Sequence, residues 1–421
     1  MLHFKKFILS LTILLACFQS FGAKILIPMD ENQKNHLKAY GIAFWVLQND
    51  LNVQWLLNYR GGSFMIDDYP DISKECIIRG VSYEKVADVQ AVQILQEISR
   101  PEVNMDMVIL EKSPKIAVYS PKNKLPWDDA VTLALTYAEI PYDIIYDDEV
   151  LGNLLPLYDW LHLHHEDFTG QYGRFYSAYK NAPWYIDQQQ SFEESAKAAG
   201  FEKVSEHKLA VAKEIKAFVV GGGFMFAMCS ATDSYDIALA SQNTDICAYM
   251  FDGDPADPAA QSKLDFSQTI AFKDFKLESN PNQYEFSSID ATRTRRLTEK
   301  NDFFSLFEFS AKWDQIPSML CQNHTQIIPG FMGQTTAFLK NQIKSEVLIM
   351  GENKVASEAR YIHGELGKGT WTWYGGHDPE DYSHRVGDPP TDLDLHPNSP
   401  GYRLILNNVL FPAARKKKQK T

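Results

Sequence analysis

Cysteine is scarce, with five residues in a chain of 421, which excludes a disulfide-stapled scaffold. No stretch approaches the 18 or so uninterrupted apolar residues of a membrane-spanning helix. Positive charge is in deficit: 41 Lys and Arg stand against 54 Asp and Glu, for a net charge of −13. Lys5, Lys6, Arg415, Lys416, Lys417, Lys418 and Lys420 lie at the two ends, so the body between is more acidic still. Such a surface repels phosphate backbones, and nucleic acid is not an expected partner. Also missing are a G-x-x-x-x-G-K-[ST] phosphate loop, any internal repeat and any low-complexity segment. Asp252, Asp254 and Asp257 do not follow EF-hand spacing and read as a solvated loop. What is present is ordinary globular usage, 45% hydrophobic and 23% charged. The length fits two or three domains, or one large α/β domain with insertions.

Residues 1–23 have the form of an export signal: Lys5-Lys6, then a short apolar stretch over 7–16. Leu14-Leu15-Ala16-Cys17 has lipobox form and would make Cys17 a lipid-anchored terminus; cleavage before Ala23 is the competing expectation. The expected location is therefore periplasmic or lipid-anchored in a bacterial envelope, and the expected partner a small molecule or envelope polymer. Residues 413–421 are a basic tail, read as a frayed end or a contact for anionic lipid or polymer.

From Lys24 onward, apolar strands alternate with helical stretches. Strand patterns fall at 25–28, 53–57, 115–119, 142–146, 159–163 and 224–228, and helical ones at 36–47, 83–98, 127–138 and 210–220. This order predicts an α/β fold: a mostly parallel, doubly wound sheet in a domain over 113–412, preceded by an α/β segment over 24–112. The rhythm breaks over about 252–341, read as a β-rich insertion. Strands resume at 347–350, 359–363 and 370–374. Ser399 and Pro400 mark the start of a last helix.

Open parallel sheets carry their sites at the carboxyl ends of strands, and three such ends hold reactive residues. In Gly221-Gly-Gly-Phe-Met-Phe-Ala-Met-Cys-Ser-Ala-Thr-Asp233, Cys229 sits where a strand turns into a helix, the layout of a nucleophile elbow. A helix start would favour its thiolate; the plainer alternative is an inert core cysteine. The second end is His162-Leu-His-His-Glu-Asp167. Strand alternation puts His162 and His164 on one face and His165 on the other. His164, His165, Glu166 and Asp167 suit zinc or another divalent ion, or a general base with an orienting acid; a polar strand end bonded to loops is the alternative. The third is Gly375-Gly-His-Asp-Pro-Glu-Asp381, where His377 could pair with Asp378 or Glu380 and serve Cys229 as base, or join the His164 cluster on a metal. Trp371 and Trp373 beside it could line a ligand groove. The four cysteines after the leader, Cys76, Cys229, Cys247 and Cys321, allow three full disulfide pairings.

Phe218-Val-Val-Gly-Gly-Gly-Phe-Met-Phe-Ala-Met-Cys229, Gly367-Lys-Gly-Thr370 with Gly375-Gly-His377, and a last helix with Asn407-Asn408 together resemble the class I glutamine amidotransferase-like superfamily, from about Lys115 to Phe411 outside the insertion. The resemblance implies Cys229 as nucleophile and His377 as base in amide or acyl hydrolysis or transfer. The family's acid two places after His is Pro379 here, which leaves Asp378 and Glu380 as substitutes. More narrowly, Lys24-Ile-Leu-Ile-Pro-Met-Asp30, Trp55-Leu-Leu-Asn-Tyr-Arg-Gly-Gly62 and Gly375-Gly-His-Asp-Pro-Glu-Asp-Tyr382 resemble exported bacterial proteins often labelled asparagine synthetase B. That label implies ATP-dependent nitrogen transfer from glutamine to aspartate. Position 2 here is Leu rather than Cys, and no Ser-Gly-Gly-x-Asp-Ser loop occurs, so that chemistry is not expected. Three readings remain: a Cys229-dependent hydrolase or transferase, a metal-assisted hydrolase, and a non-catalytic ligand-binding or scaffold protein of the envelope.

Overall fold

The computed structural model describes residues 23–122 and 126–415. The leader with Cys17 and the tail beyond Arg415 lie outside the described residues. Two sheets organise the chain. The first is built from β1 (Ala23–Ile27), β2 (Val53–Leu57), β3 (Ser63–Asp67), β4 (Glu84–Ala87) and β5 (Asp106–Leu110), with helices α1 (His36–Gln48), α2 (Pro70–Ile78) and α3 (Asp88–Ser99). Its order is β4-β1-β3-β2-β5, and every pair is antiparallel. The helical pattern at 83–98 is split here. Residues 84–87 pair along β1, from Ala23 opposite Ala87 to Leu26 opposite Glu84, so edge pairing takes one turn from the amphipathic helix.

The second sheet is ten-stranded and mixed. Its strands are β6 (Ile116–Tyr119), β7 (Asp143–Ile145), β8 (Trp160–Leu163), β9 (Phe224–Met228), β10 (Phe303–Leu306), β11 (Ile327–Pro329), β12 (Phe338–Leu339), β13 (Leu348–Asn353), β14 (Glu358–Leu366) and β15 (Gly369–Tyr374). Helices α4 (Ala130–Tyr137), α5 (Pro183–Ala198), α6 (Val204–Gly221), α7 (Ala231–Ala240) and α8 (Pro400–Leu410) accompany them. Strands β7-β6-β8-β9-β15 run parallel, and β14, β13, β10 and β11 extend the sheet antiparallel. From β6 the chain steps outward to β7, then returns to β8 on the other side. At such a reversal the strands' carboxyl ends open a crevice.

The stretch over 252–341, expected to be β-rich, holds only the short strands β10, β11 and β12 among helical turns and loops. Buried carboxylates take the place of strand partners for its backbone donors. Asp236 on α7 accepts the N–H groups of Ile270, Ala271 and Phe272, each at 2.8 Å. Asp290 accepts those of Thr292 at 2.8 Å and Thr335 at 3.0 Å. Helix α8 starts as the sequence predicts, with Ser399 Oγ accepting from the Tyr402 N–H and Pro400 at the first position. Cys76, Cys229, Cys247 and Cys321 are all buried and free. Trp371 and Trp373 are core residues whose rings lie 5.1 Å apart, and they line no groove. Among the described residues no helix is long and apolar enough to cross a membrane.

Arg403 of α8 joins the two sheets. Fully buried, it donates to Met29 O at 2.8 Å, to Tyr40 Oη at 3.1 Å and to Gly61 O. Beside it the His36 and His324 rings stack at 4.3 Å. Burial and the guanidinium charge hold His36 down at about 3 and His324 at about 4. In the unfolded chain both would take protons below their ordinary value near 6.5, while the native junction stays neutral, so stability falls as pH drops from about 6.5 toward 4. Urea midpoints across that range should fall in the wild type, and a His36→Gln/His324→Gln variant should show a flatter acid limb. Separately, Asp236→Ala strands three buried donors and should cost roughly 3–5 kcal/mol by denaturant unfolding.

Candidate metal centre

Strand β8 stops at Leu163, and the backbone turns at once. The Glu166 N–H bonds back to His164 O, closing a three-residue turn about His165. Alternation ends with the strand, so His165 does not point away from His164 as expected. Instead the two rings lie 3.8 Å apart. Strand β15 stops at Tyr374, and Gly376, at φ 100°, turns the chain where a side chain would be strained. Loop 331–336 is laid close against this turn: Gly376 N–H donates to Thr335 O and His377 N–H to Met332 O, both at 3.0 Å. A Cβ at Gly333 would lie 2.7 Å from His377 N. The His377 ring is thereby brought to 4.1 Å from His165 and 5.4 Å from His164.

Two acids from the loop before α4 complete the cluster. Asp129 Oδ1 caps α4, accepting from Val131 N at 2.7 Å and Thr132 N at 2.9 Å. Its Oδ2 lies 2.5 Å from His164 Nδ1 and 3.1 Å from His162 Nε2. With Nδ1 committed to a carboxylate, His164 keeps the Nε2 lone pair free for an ion. Asp128 Oδ1 lies 2.7 Å from His384 Nε2 and 3.9 Å from His377 Nε2. His384 Nδ1 is held by Asp381 at 2.9 Å, which repeats the orienting pattern.

Ligand atoms of His164, His165 and His377 all lie within 4.8 Å of one another, and so do those of Asp128, His377 and His384. Several are buried yet lack a hydrogen bond: both oxygens of Asp128, both ring nitrogens of His377, and Nε2 of His165 and of His384. The Asp128–His384 contact is close but misaligned for a hydrogen bond. Buried polar atoms are nearly always paired, so this convergence of bare donors fits a cation. Burial, with the neighbouring imidazoles of His377 and His164, pushes His165 far below the usual imidazole range. Burial also lowers His164, against the opposing pull of Asp129. Both rings are therefore neutral and able to ligate. His384 goes the other way: the Asp128 carboxylate pushes it up to about 9. Burial would raise Asp128, but its contacts with His377 and His384 outweigh that and hold it low.

Glu166 and Asp167, expected as ligands, turn into the protein instead. Glu166 Oε2 accepts from Tyr146 Oη at 3.0 Å and faces Lys208 Nζ at 3.7 Å, and burial raises its carboxyl to about 7. Asp167 accepts from Thr169 N at 2.7 Å and Gly173 N at 2.9 Å. Asp378 and Glu380, expected to orient His377, serve their own loop. Asp378 takes Glu380 N and Thr391 Oγ1, while Glu380 pairs with His396 at 3.0 Å. The acid that faces His377 is Asp128. Sequence reading passed over both Asp128 and Asp129. The available signal was an Asp pair just ahead of a helix, in the connection leaving the first parallel strand.

Cys229 has the backbone of an elbow. It stands between β9 and α7 at φ 55°, in the left-handed region that non-glycine residues rarely adopt. Its thiol, however, is fully buried, and burial pushes it well above the usual range. Backbone N–H groups of Ser230 and Gln334 face it, opposed by the charges of Asp290 and Asp233. The expected thiolate at a helix start is therefore not favoured. The main chains of Cys229 and the His377 turn do meet, Cys229 N–H donating to Gly376 O at 3.2 Å. Among the described residues no hydrogen bond or ion pair joins the two side chains.

No family model matches this chain, and neither does any curated protein. Among solved structures, two cytoplasmic proteins of Salmonella typhimurium, one from strain LT2, are similar at 10% and 12% identity. Each alignment covers 72% of this chain and 100% of the other, with a TM-score of 0.35. An overlap that loose carries no functional argument.

The environment of Cys229 predicts a silent thiol. In native protein near neutral pH, a maleimide probe should leave Cys229 unlabelled, and denaturant should expose it. Rapid native labelling, traced by peptide mapping, would restore the nucleophile reading.

Proposed function

We propose that the protein is an exported, metal-dependent hydrolase of amide or ester bonds on an amidotransferase-like α/β domain. His164, His165 and His377 hold a zinc-type divalent ion, with the fourth position left to water or substrate. The observation that carries this reading is the set of buried, hydrogen-bond-free nitrogens on His165 and His377, whose ligand atoms lie within 4.8 Å of each other and of that of His164. Three imidazole nitrogens with an open fourth position are a ligand set for zinc or a similar first-row ion. The place also favours catalysis over a structural role. It lies at the carboxyl ends of the parallel strands, beside the point where strand order reverses, His165 is only half-buried, and no thiolate is among the donors. The strand order and the elbow at Cys229 support the amidotransferase-like fold, and the leader supports export.

An ion bound there would polarise a carbonyl and acidify water. Hydrolysis adds the water oxygen to the acyl carbon and breaks the C–N or C–O bond, and the leaving amine or alcohol takes a proton. Raised by Asp128 and oriented by Asp381, His384 is placed to deliver that proton from Nε2. Asp129 keeps His164 in the ligating tautomer.

Elemental analysis of the purified protein, as isolated and after zinc loading, should find about one ion per chain. His164→Ala and His377→Ala should lose it while circular dichroism stays native. Asp129→Asn should weaken zinc binding by roughly 10–100-fold. Hydrolysis of p-nitrophenyl acetate should cease on chelation and return with zinc. Folded protein that takes up no zinc, or activity that survives chelation and is lost in Cys229→Ser, overturns the proposal.

A further inference from the structure

We infer that the substrate of this site is an acylated carbohydrate, its saturated ring laid on an aromatic wall of Trp127, Trp184 and Tyr284 beside His165. The inference rests on the metal-dependent reading and names the substrate class for it. Trp127 immediately precedes Asp128, and its ring meets His165 edge-on at 5.8 Å. From there the aromatic surface is continuous. Trp127 lies 5.3 Å from both Phe175 and Trp184, and Phe175 lies 5.6 Å from Tyr284. Tyr179 meets Trp184 at 5.2 Å.

Three features make this more than core packing. First, only Phe175 is buried; Trp127, Tyr179 and Trp184 are half-buried, and Tyr284 is 42% exposed. Aromatic area left in water next to a buried polar centre is what a ligand would cover. Second, the buried Trp127 Nε1–H has no acceptor. An indole N–H normally finds one when buried, and a ring hydroxyl or acyl oxygen at His165 would supply it. Third, the wall is fixed to the centre. Gln334, in the loop laid against His377, donates to Gly173 O at 2.9 Å and Tyr284 O at 2.8 Å.

The ring geometry selects the class. Trp184 stands at 88° to Trp127 and 80° to Phe175, and Tyr284 at 52° to Phe175. Trp184 is thus steeply inclined to both Trp127 and Phe175 and forms no parallel slot with either that would sandwich a flat ligand. A single π face is negative and suits the positively polarised C–H face of a saturated ring. The wall's own side chains carry no charge, so the surface on which the ring lies is an uncharged one, and charge is read only at the metal beside it.

The test uses zinc-loaded full-length protein, with N,N′-diacetylchitobiose as the N-acyl probe, acetylated xylotriose as the O-acyl probe and N-acetylphenylalaninamide as the flat-ring control. Binding is followed by calorimetry, turnover by released acetate and zinc by elemental analysis. At least one sugar should bind and release acetate, and the control should do neither. Trp184→Ala and the more exposed Tyr284→Ala should each raise KM about tenfold with zinc content unchanged. Trp127→Phe, which keeps a ring but removes the N–H, should lower kcat with zinc retained. Zinc retained with neither sugar bound, or with the control preferred, overturns the carbohydrate assignment alone. Sugar binding with no acetate released by the zinc-loaded protein overturns the hydrolase reading and leaves the wall as a sugar platform.

Discussion

Asp129 divides its two carboxylate oxygens between two tasks, and the candidate site is arranged around that division. Oδ1 satisfies the first free N–H groups of α4, which fixes where the helix begins and how it sits against the sheet. Oδ2 holds His162 and His164, which fixes the tautomer and direction of the residue that follows β8. Helix start and donor set are thus locked to one side chain. Asp128, the preceding residue, is delivered to the centre by the same constraint.

Polar groups elsewhere follow a similar economy. The irregular stretch after α7 has few strand partners, so buried carboxylates at Asp236 and Asp290 collect its backbone donors. Lys208 stands beside Asp147, Tyr119 and Tyr146 in a buried network that also engages Glu166. Each of these groups is satisfied by its neighbours. Single bare atoms occur elsewhere, His207 Nε2 beside this network among them, but those on Asp128, His165, His377 and His384 converge, and that convergence is the physical reason to read this cluster as functional.

The elbow at Cys229 separates backbone geometry from chemistry. A left-handed residue at a strand-to-helix turn carries strain, and here loop 331–336, which also packs on the His377 turn, sets Gln334 N–H over the thiol. A nucleophile needs access and a stabilised anion. This thiol has burial and two nearby carboxylates, both of which oppose the anion.

Much of the architecture was legible in the sequence. Apolar runs such as Phe224–Met228 and Gly369–Tyr374 are strands because their side chains fill a core, and Ser399-Pro400 starts a helix through local capping. These signals are carried by neighbouring residues, so the sequence by itself determines them. The convergence of His164 and His377 at parallel strand ends was likewise foreseeable from the alternation of strands and helices. Tertiary structure decided the rest. Whether 84–87 is helix or strand depends on β1 being alongside. Whether His165 faces His164 depends on a turn that starts only where sheet pairing stops. Whether Glu166 or Asp128 joins the histidines depends on Tyr146 and Lys208 claiming the first, and on α4's cap carrying the second to the site. Hydrophobic period reports which face of an element is buried; it carries no information about which distant polar group will be waiting there.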